Sequence, residues 1–465
     1  MIRQWQLRAA FAARLSEMYG REVPAYTTLV DVSREVNEDV LRARGADAER
    51  LGSIGRVTSE RHGAIRVGTP GELRQVARVF GALGMRPVGH YDLRDTAGSA
   101  LPVVSTAFRP VAEDELARNP FRVFTSLLTV DDPRFFDVDL RSRLTQFLAG
   151  RELFPPELLT LADRAEAERE LPDAAAERFL HLAVRVFELS AEPVDRAWYE
   201  TLARVSAVAA DIGGVRSTHI NHLTPRVLDI DELYRRMTAR GIEMIDTIQG
   251  PPHRPGADVL LRQTSFRALA EPRAMRAPDG RVTRGSLRVR FGEVEARGIA
   301  LTRAGRARYD RVLALVDERA AHRPPAERAD VTRALWAEHL PGTERELAAQ
   351  GLGFFTYHAV RDRPADGGRP PTGIGALLNG GWVRAEPIVY EDFLPRSAAG
   401  IFQSNLSDRG SRNTGQEGGS YDDAWLAGAV DRDVLDPFAL YERQRARSLA
   451  GVADALGLAA APSPG

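Results

Sequence analysis

The sequence predicts an α+β protein in which two strand–helix modules face one another across a common centre, with helical segments inserted between and around them. Three observations predict it. A short pattern recurs 160 residues apart, each time reading as a strand followed by a helix. Residues 134–206 and 303–350 carry helical periodicity rather than strand alternation. From Gly351 onward the chain turns rich in glycine, aromatic residues and loop signals.

Composition bounds the chemistry. At 465 residues the chain exceeds one ordinary core, and roughly 150 residues per domain suggests two or three units. A content of 43% hydrophobic and 27% charged residues reads as soluble and globular. Lys plus Arg number 63 against 64 for Asp plus Glu. That balance removes the electrostatic case for a nucleic-acid or membrane-surface partner. No run approaches about 18 apolar residues, so no membrane-spanning helix is expected. Met1–Ala10 contains Arg3 and Arg8 and no apolar run follows, so no export leader is expected and the location reads as cytoplasmic. Cysteine is absent, which excludes disulfides, a thiolate nucleophile, Cys-bound zinc and Fe–S clusters. Lysine is absent as well, so all 63 basic residues are arginine. Schiff-base and Walker-type lysines are thereby excluded. A catalytic cation must be arginine, a protonated histidine or a metal.

Taken in order, Leu7, Ala10, Phe11, Leu15 and Met18 fall at helical spacing over residues 5–19, and a second helix is expected over Thr28–Arg44. His62–Val67 reads as a strand, and Thr69-Pro-Gly-Glu-Leu as the start of a helix burying Leu73, Val76, Val79 and Phe80. The 134–206 region reads as helical with a break at Pro155-Pro156, and 303–350 as helical with a break at Pro324-Pro325. A last helix is expected over Pro437–Leu456, with a disordered tail from Ala461 to Gly465. The run Phe354-Phe-Thr-Tyr357 reads as core.

The repeat carries the functional signal. His62-Gly-Ala-Ile-Arg66-Val67, then Glu72-Leu73, recurs as His222-Leu-Thr-Pro-Arg226-Val227, then Glu232-Leu233. In a strand, positions i and i+4 share a face, so His62 shares one with Arg66, and His222 with Arg226. Two such modules related by a pseudo-twofold bring both imidazoles to one point, where they would bind a divalent metal. His219, three residues before His222, faces the other way in a continuous strand, and the repeat selects His222. A third ligand is expected on a late strand, Leu287–Gly298, where Glu293 and Glu295 alternate with Val294 and point one way. Glutamate fits a buried strand face only when paired or metal-bound. Spacing alone leaves both open, and an exposed edge strand carrying charges fits the same pattern equally well. Two histidines and one carboxylate with open positions form the facial triad of non-haem Fe(II) oxygenases.

The doubled His-x-x-x-Arg, followed by Glu293-Val-Glu-Ala-Arg297-Gly, resembles the vicinal oxygen chelate superfamily. The chain is more closely similar to the 2-oxoadipate dioxygenase/decarboxylase (hydroxyglutarate synthase) family. The matching stretches are Tyr19-Gly-Arg-Glu-Val-Pro-Ala-Tyr26, Arg61-His-Gly-Ala-Ile-Arg66, Asn221-His-Leu-Thr-Pro-Arg226 and Phe393-Leu-Pro-Arg-Ser-Ala-Ala-Gly-Ile-Phe-Gln-Ser-Asn-Leu406. The resemblance implies two βαβββ modules around one metal. It assigns His62, His222 and Glu293 as ligands of Fe(2+), Arg66 as the arginine for a substrate carboxylate and Ser397 as a substrate contact. Arg396 departs from the small apolar residue expected beside that serine. Ser404 and Asn405 are either further substrate contacts or caps of loop backbone.

The implied organisation is an N-terminal helical segment (1–52), a first metal-binding module (53–133), a helical insertion (134–212), a second metal-binding module (213–310), a helical connection (311–350) and a C-terminal segment closing the active site (351–465). The implied reaction converts 2-oxoadipate and O2 to 2-hydroxyglutarate and CO2, a late step of lysine breakdown. The implied partners are a small 2-oxo dicarboxylic acid and O2, with the oligomeric state left open. Two other readings stand beside it: a non-oxidative metal-dependent isomerase or lyase on the same scaffold, and a non-enzymatic small-molecule binding protein with structural histidines. Along the strand, four residues from His62 to Arg66 span about 13 Å at roughly 3.3 Å each. A guanidinium reaching back several Å would then sit about one six-carbon diacid from the metal.

Overall fold

A computed structural model describes residues 1–95, 100–253, 258–288, 290–320, 323–360, 369–406 and 415–463. The chain is mixed helix and sheet. Among the described residues, no helix is long and apolar enough to cross a membrane.

The central sheet has five strands in the order Arg86–Asp92, Val103–Arg109, Arg122–Leu128, Arg61–Val67, His222–Pro225. The first histidine strand, Arg61–Val67, runs parallel to Arg122–Leu128 and antiparallel to the second histidine strand, His222–Pro225. The helix Pro70–Ala82 follows it, its start fixed by a capping box between Thr69 and Glu72. The sheet does not stop at His222–Pro225. Arg226 bridges Glu295 in parallel, and the glutamate strand Gly292–Arg297 pairs antiparallel with Leu261–Phe266. Leu261–Phe266 is bridged in turn at Met244–Phe266 and Gln249–Gln263. Strand, helix and three further extended segments therefore follow one another twice, the second time with the helix Ile230–Ala239.

Alternation along the strands sorts side chains onto two faces. Val104, Phe108, Val123, Leu127, Ile65 and Val67 join the core with Leu7, Phe11 and Leu15 of the helix Gln4–Glu22 and Val76 and Phe80 of Pro70–Ala82. Ala64, Val103, Ala107, Phe124 and Leu128 face a second core with Leu202, Ile212 and Phe393. His62, Ala64 and Arg66 share this second side. A separate core joins Tyr309, Trp336 and Leu449, from the helices Arg303–Ala320, Pro325–His339 and Pro437–Leu456, to Phe354, Phe355 and Tyr357. The aromatic run is thus core, as its composition predicts.

Four expectations are corrected. The second helix begins at Pro24, because proline at the first helical turn loses no internal hydrogen bond. The proposed strand over 287–298 is two: Val282–Leu287 closes an inserted hairpin with Glu271–Arg276, and Gly292–Arg297 begins anew. A side chain on Gly292 would lie 1.9 Å from the Phe266 ring, so the ladder there requires glycine. The distinctive late motif is not a loop but the helix Pro395–Leu406. Its Asn405 accepts from Ala268 N (3.0 Å) and donates to Ser265 Oγ (2.8 Å), tying the helix to the strand Leu261–Phe266. Lastly, Ser463 of the expected disordered tail bridges Gly373, and Pro462 is buried. Residues 464–465 and the side chain of Ser404 lie outside the described set.

Candidate metal centre

The antiparallel register sets Ala64 opposite His222 and His62 opposite Thr224. Directly opposed residues point to one face, as do i and i+2, so His62 and His222 emerge side by side. Their rings meet edge-on with centroids 5.3 Å apart. The parallel bridge from Arg226 to Glu295, with Val227 N donating to Glu295 O at 2.8 Å, brings the glutamate strand alongside. One ligand atom from each of His62, His222 and Glu293 then falls within 4.8 Å of the others, all three side chains buried. Tyr19, from the first helix, braces the arrangement: its hydroxyl donates to Phe291 O (2.9 Å) and Asn221 O (3.1 Å), next to the two ligand strands' starts.

The donor set suits a cation. His62 has its Nδ1, and His222 both ring nitrogens, buried without a hydrogen bond among the described residues. Such an orphan in a dry site calls for a partner. His222 Nδ1 lies 3.2 Å from Glu293, and His62 Nε2 lies 3.5 Å from the same carboxylate. Burial, then the charges of His62 and Arg66, push His222 well below the usual histidine range, leaving a neutral ring with a lone pair to give. Burial pushes Glu293 up, offset only in part by His62. No arginine forms an ion pair with Glu293 among the described residues. A divalent ion would supply the missing positive charge.

Glu295 shares the face of Glu293 and does something else. Its Oε2 is 3.0 Å from His62 Nδ1, and Arg297 grips it with Nε (2.6 Å) and Nη2 (3.0 Å). Burial alone would raise Glu295, but Arg297, then His62 and Arg122, bring it down to about 2. Burial likewise would lower His62, and the carboxylates of Glu295 and Glu293 outweigh it, so its affinity for a proton is raised. Partners that spacing does not reveal distinguish the two glutamates: Glu293 falls within reach of both histidines, and Glu295 stands behind His62.

The repeated arginines diverge. Arg66 is buried on the His62 face and ion-paired with Asp211, on the short helix Ala207–Gly213. Asp211 also accepts from Asn221 Nδ2 (2.9 Å) and lies 3.3 Å from His219. His219 therefore belongs to the Arg66 cluster rather than to the triad. Burial pushes it down to about 4, against the pull of Asp211. Arg226 instead donates to Glu60 (2.9 Å) and to Leu51 O (2.8 Å). Asp211 escaped sequence reasoning, although a lone charge within Ala-Val-Ala-Ala-Asp-Ile-Gly is a pattern that marks a buried carboxylate.

The late motif reaches the centre through its first residue. Phe393 packs edge-on against His62 with centroids 5.0 Å apart. Ser397 is buried but lines a neighbouring cavity of about 700 Å³ with Leu394, Arg306 and Tyr309, and among the described residues none of the triad lines that cavity. Arg396 pairs with Asp317, and both line the same cavity.

Comparisons with known proteins agree with this architecture. The sequence profile of the 2-oxoadipate dioxygenase/decarboxylase family matches residues 11–405. A Mycobacterium tuberculosis protein named 2-oxoadipate dioxygenase/decarboxylase is 57% identical over 437 residues, covering 94% of this chain and 96% of its own. A Pseudomonas putida protein of the same name is 42% identical, covering 97% of each. The crystal structure of hydroxyglutarate synthase from Pseudomonas putida in complex with 2-oxoadipate superposes with a TM-score of 0.84 at 39% identity, over 98% of this chain and 99% of that one. The chain belongs to the 2-oxoadipate dioxygenase/decarboxylase family.

Proposed function

We propose that this protein is an Fe(II)-dependent dioxygenase that converts 2-oxoadipate and O2 to 2-hydroxyglutarate and CO2. The observation that carries the reading is the convergence of His62, His222 and Glu293 within 4.8 Å in a buried site. Two neutral nitrogens and one carboxylate suit Fe(II) and leave coordination positions for a chelating 2-oxo acid. Bound iron would supply one-electron chemistry toward O2 that no side chain of this chain offers. The strand–helix–three-strand order seen twice supports two vicinal-oxygen-chelate-type modules, 53–133 and 213–310, with the ligands drawn from both.

The chain's own residues bind, orient and exclude water. Arg66, on the His62 face, takes the distal carboxylate in a charge-assisted pair. Asp211 keeps Asn221 and His219 as partners when Arg66 turns to substrate, so the exchange leaves no buried carboxylate bare. Phe124 and Phe393 wall the His62 side, their rings 5.0 Å apart, and keep the site dry. Ser397 is a substrate contact reached from the neighbouring cavity. The substrate's 2-oxo acid supplies the electrons, so no external reductant is consumed: the C1 carboxylate leaves as CO2 and both atoms of O2 enter the products.

The test is an oxygen-electrode assay with Fe(II) across a panel of 2-oxo dicarboxylic acids. The reading expects one O2 consumed per CO2 released, with 2-oxoadipate preferred. Product formed at full rate without O2 overturns it in favour of a non-oxidative isomerase or lyase.

A further inference from the structure

The two histidines of the triad are held unequally, and the difference points to a residue outside the triad. His62 is flanked on two sides. Its Nδ1 meets Glu295 at 3.0 Å, and its ring edge packs on Phe393. His222 has Glu293 of the triad 3.2 Å from its Nδ1 and the rings of His62 and, at 5.5 Å, Phe291 as neighbours, with no carboxylate outside the triad against it among the described residues. Glu295 is wholly buried and is itself anchored: Arg297 grips it bidentately, and Arg122 Nη1 approaches at 3.4 Å. Arg297 also donates to the backbone oxygens of Tyr390 (2.7 Å) and Asp392 (3.1 Å), immediately before Phe393. Its guanidinium carbon lies 5.8 Å from the Phe393 ring. One arginine thus fixes both groups that flank His62.

We infer that Glu295 is the positioning residue of the metal centre. It takes the Nδ1 proton of His62, and so presents Nε2 to the ion in one tautomer and one orientation; Arg297 sets Glu295 and the Phe393 backbone together. A carboxylate behind a ligating histidine raises the basicity of the ligand nitrogen, and its loss typically costs about 10–100-fold in metal affinity. The inference rests on the triad proposed above. It adds a residue whose contribution is read in ion binding rather than in substrate contact.

The experiment uses the full chain loaded with Zn2+ and, separately, titrated with Co2+. In the 15N-histidine Zn2+ protein, the signals missing from His62→Gln identify His62; Nδ1 should carry the proton and Nε2 the metal. Glu295→Gln should weaken Co2+ binding about 10–100-fold and shift its visible absorption bands. Asp392→Asn, which alters the neighbouring buried pair with Arg109 without touching His62 or Glu295, should bind Co2+ within about threefold of the parent. A metal-bound Nδ1 on His62 overturns the inference, and so does a folded Glu295→Gln with parental Co2+ affinity and spectrum. If Glu295→Gln does not fold, the tautomer decides alone. A parent chain that binds no ion overturns the triad, whereas a parent that binds one ion with Nδ1 of His62 overturns only the role of Glu295.

Discussion

The segments Arg61–Val67 and His222–Arg226 carry the same residues at the same spacing, lie side by side in one sheet, and end up with different tasks. Their histidines meet at one point. Their arginines part: Arg66 enters a small polar cluster with Asp211, Asn221 and His219, while Arg226 joins a buried ionic lattice of Glu60, Arg56, Arg122 and Glu391. Backbone register is shared because strand pairing fixes it. Side-chain partners are not shared, because each arm meets a different neighbour: the helix Ala207–Gly213 on one side, and Glu60, just before the first histidine strand, on the other. A repeat in sequence therefore identifies what is symmetric, the two histidines that meet, and is silent about what has diverged.

The sharpest way to break the comparison is to remove a ligand from either arm. His62→Ala and His222→Ala should each abolish metal binding and reduce turnover by orders of magnitude, because a three-residue site tolerates no missing donor. Metal content of protein purified without chelator, read beside oxygen uptake, checks this. Retained stoichiometric metal in either variant would mean that the arms do not converge on one ion.

The arginines come next. Arg226→Ala opens a buried ion pair and should cost about 3 kcal/mol of stability, the low end for such a break because Glu60 keeps Arg122 at 2.7 Å. Chemical denaturation measures it, and kcat/KM per folded molecule should stay within about threefold of the parent. Arg66→Ala should lower kcat/KM for 2-oxoadipate at least about tenfold, since a charge-assisted bond contributes about 1.5–3 kcal/mol. The loss should be smaller for 2-oxo acids lacking the distal carboxylate, and metal content should hold. An unaffected kcat/KM in Arg66→Ala, with a large loss in Arg226→Ala, would exchange the two roles.

These outcomes also mark how far the sequence carries. The triad was legible because strand geometry converts a His-x-x-x-Arg repeat into a shared face, and because a glutamate on a buried strand needs a partner. The choice of Glu293 over Glu295 was legible only through family resemblance: both point one way, and what separates them is Arg297, two residues further along the strand, whose guanidinium folds back onto Glu295. Asp211, from a different helix, carried no spacing signal linking it to Arg66. The helix Pro395–Leu406 was misread as a loop because Gly400, Ser404 and Asn405 are weak helix formers, and tertiary contacts of Ile401 and Asn405 override that propensity.

The two glutamates provide a pH test with opposite signs. Glu295, with its folded value near 2, contributes stability above the ordinary carboxylate range that is lost as pH falls through about 2. Glu293 is raised, so its ionisation opposes folding of the metal-free chain as pH rises through that raised value. Metal-free Glu293→Gln should therefore match or exceed the parent Tm at neutral pH, with the advantage shrinking as pH falls and Glu293 takes up its proton. Metal loading of the parent should weaken over the same interval. A metal-free Glu293→Gln markedly less stable than the parent at neutral pH would show that Glu293 is held by something other than the ion.

The smallest effect is expected at Arg396, the residue beside Ser397 in the late motif. Proximity to Ser397 suggests an influence on substrate choice, and the pairing of Arg396 argues for a small one. Its side chain lines the same cavity as Ser397, but there it pairs with Asp317 on the helix Arg303–Ala320, the two side chains 45% and 43% exposed. A pair so open to water contributes about 0–1 kcal/mol, and screening by salt reduces it further. Consecutive helical positions project about 100° apart, so a buried Ser397 and an exposed Arg396 are compatible in the first turn of Pro395–Leu406. Arg396→Ala should change stability by less than about 1 kcal/mol and leave the ranking of 2-oxo acids as it is, measured in the same oxygen-uptake panel. A reordered ranking would mean that Arg396 exchanges Asp317 for substrate in the cavity it lines with Ser397, and the late motif would then contribute a second arginine to recognition alongside Arg66.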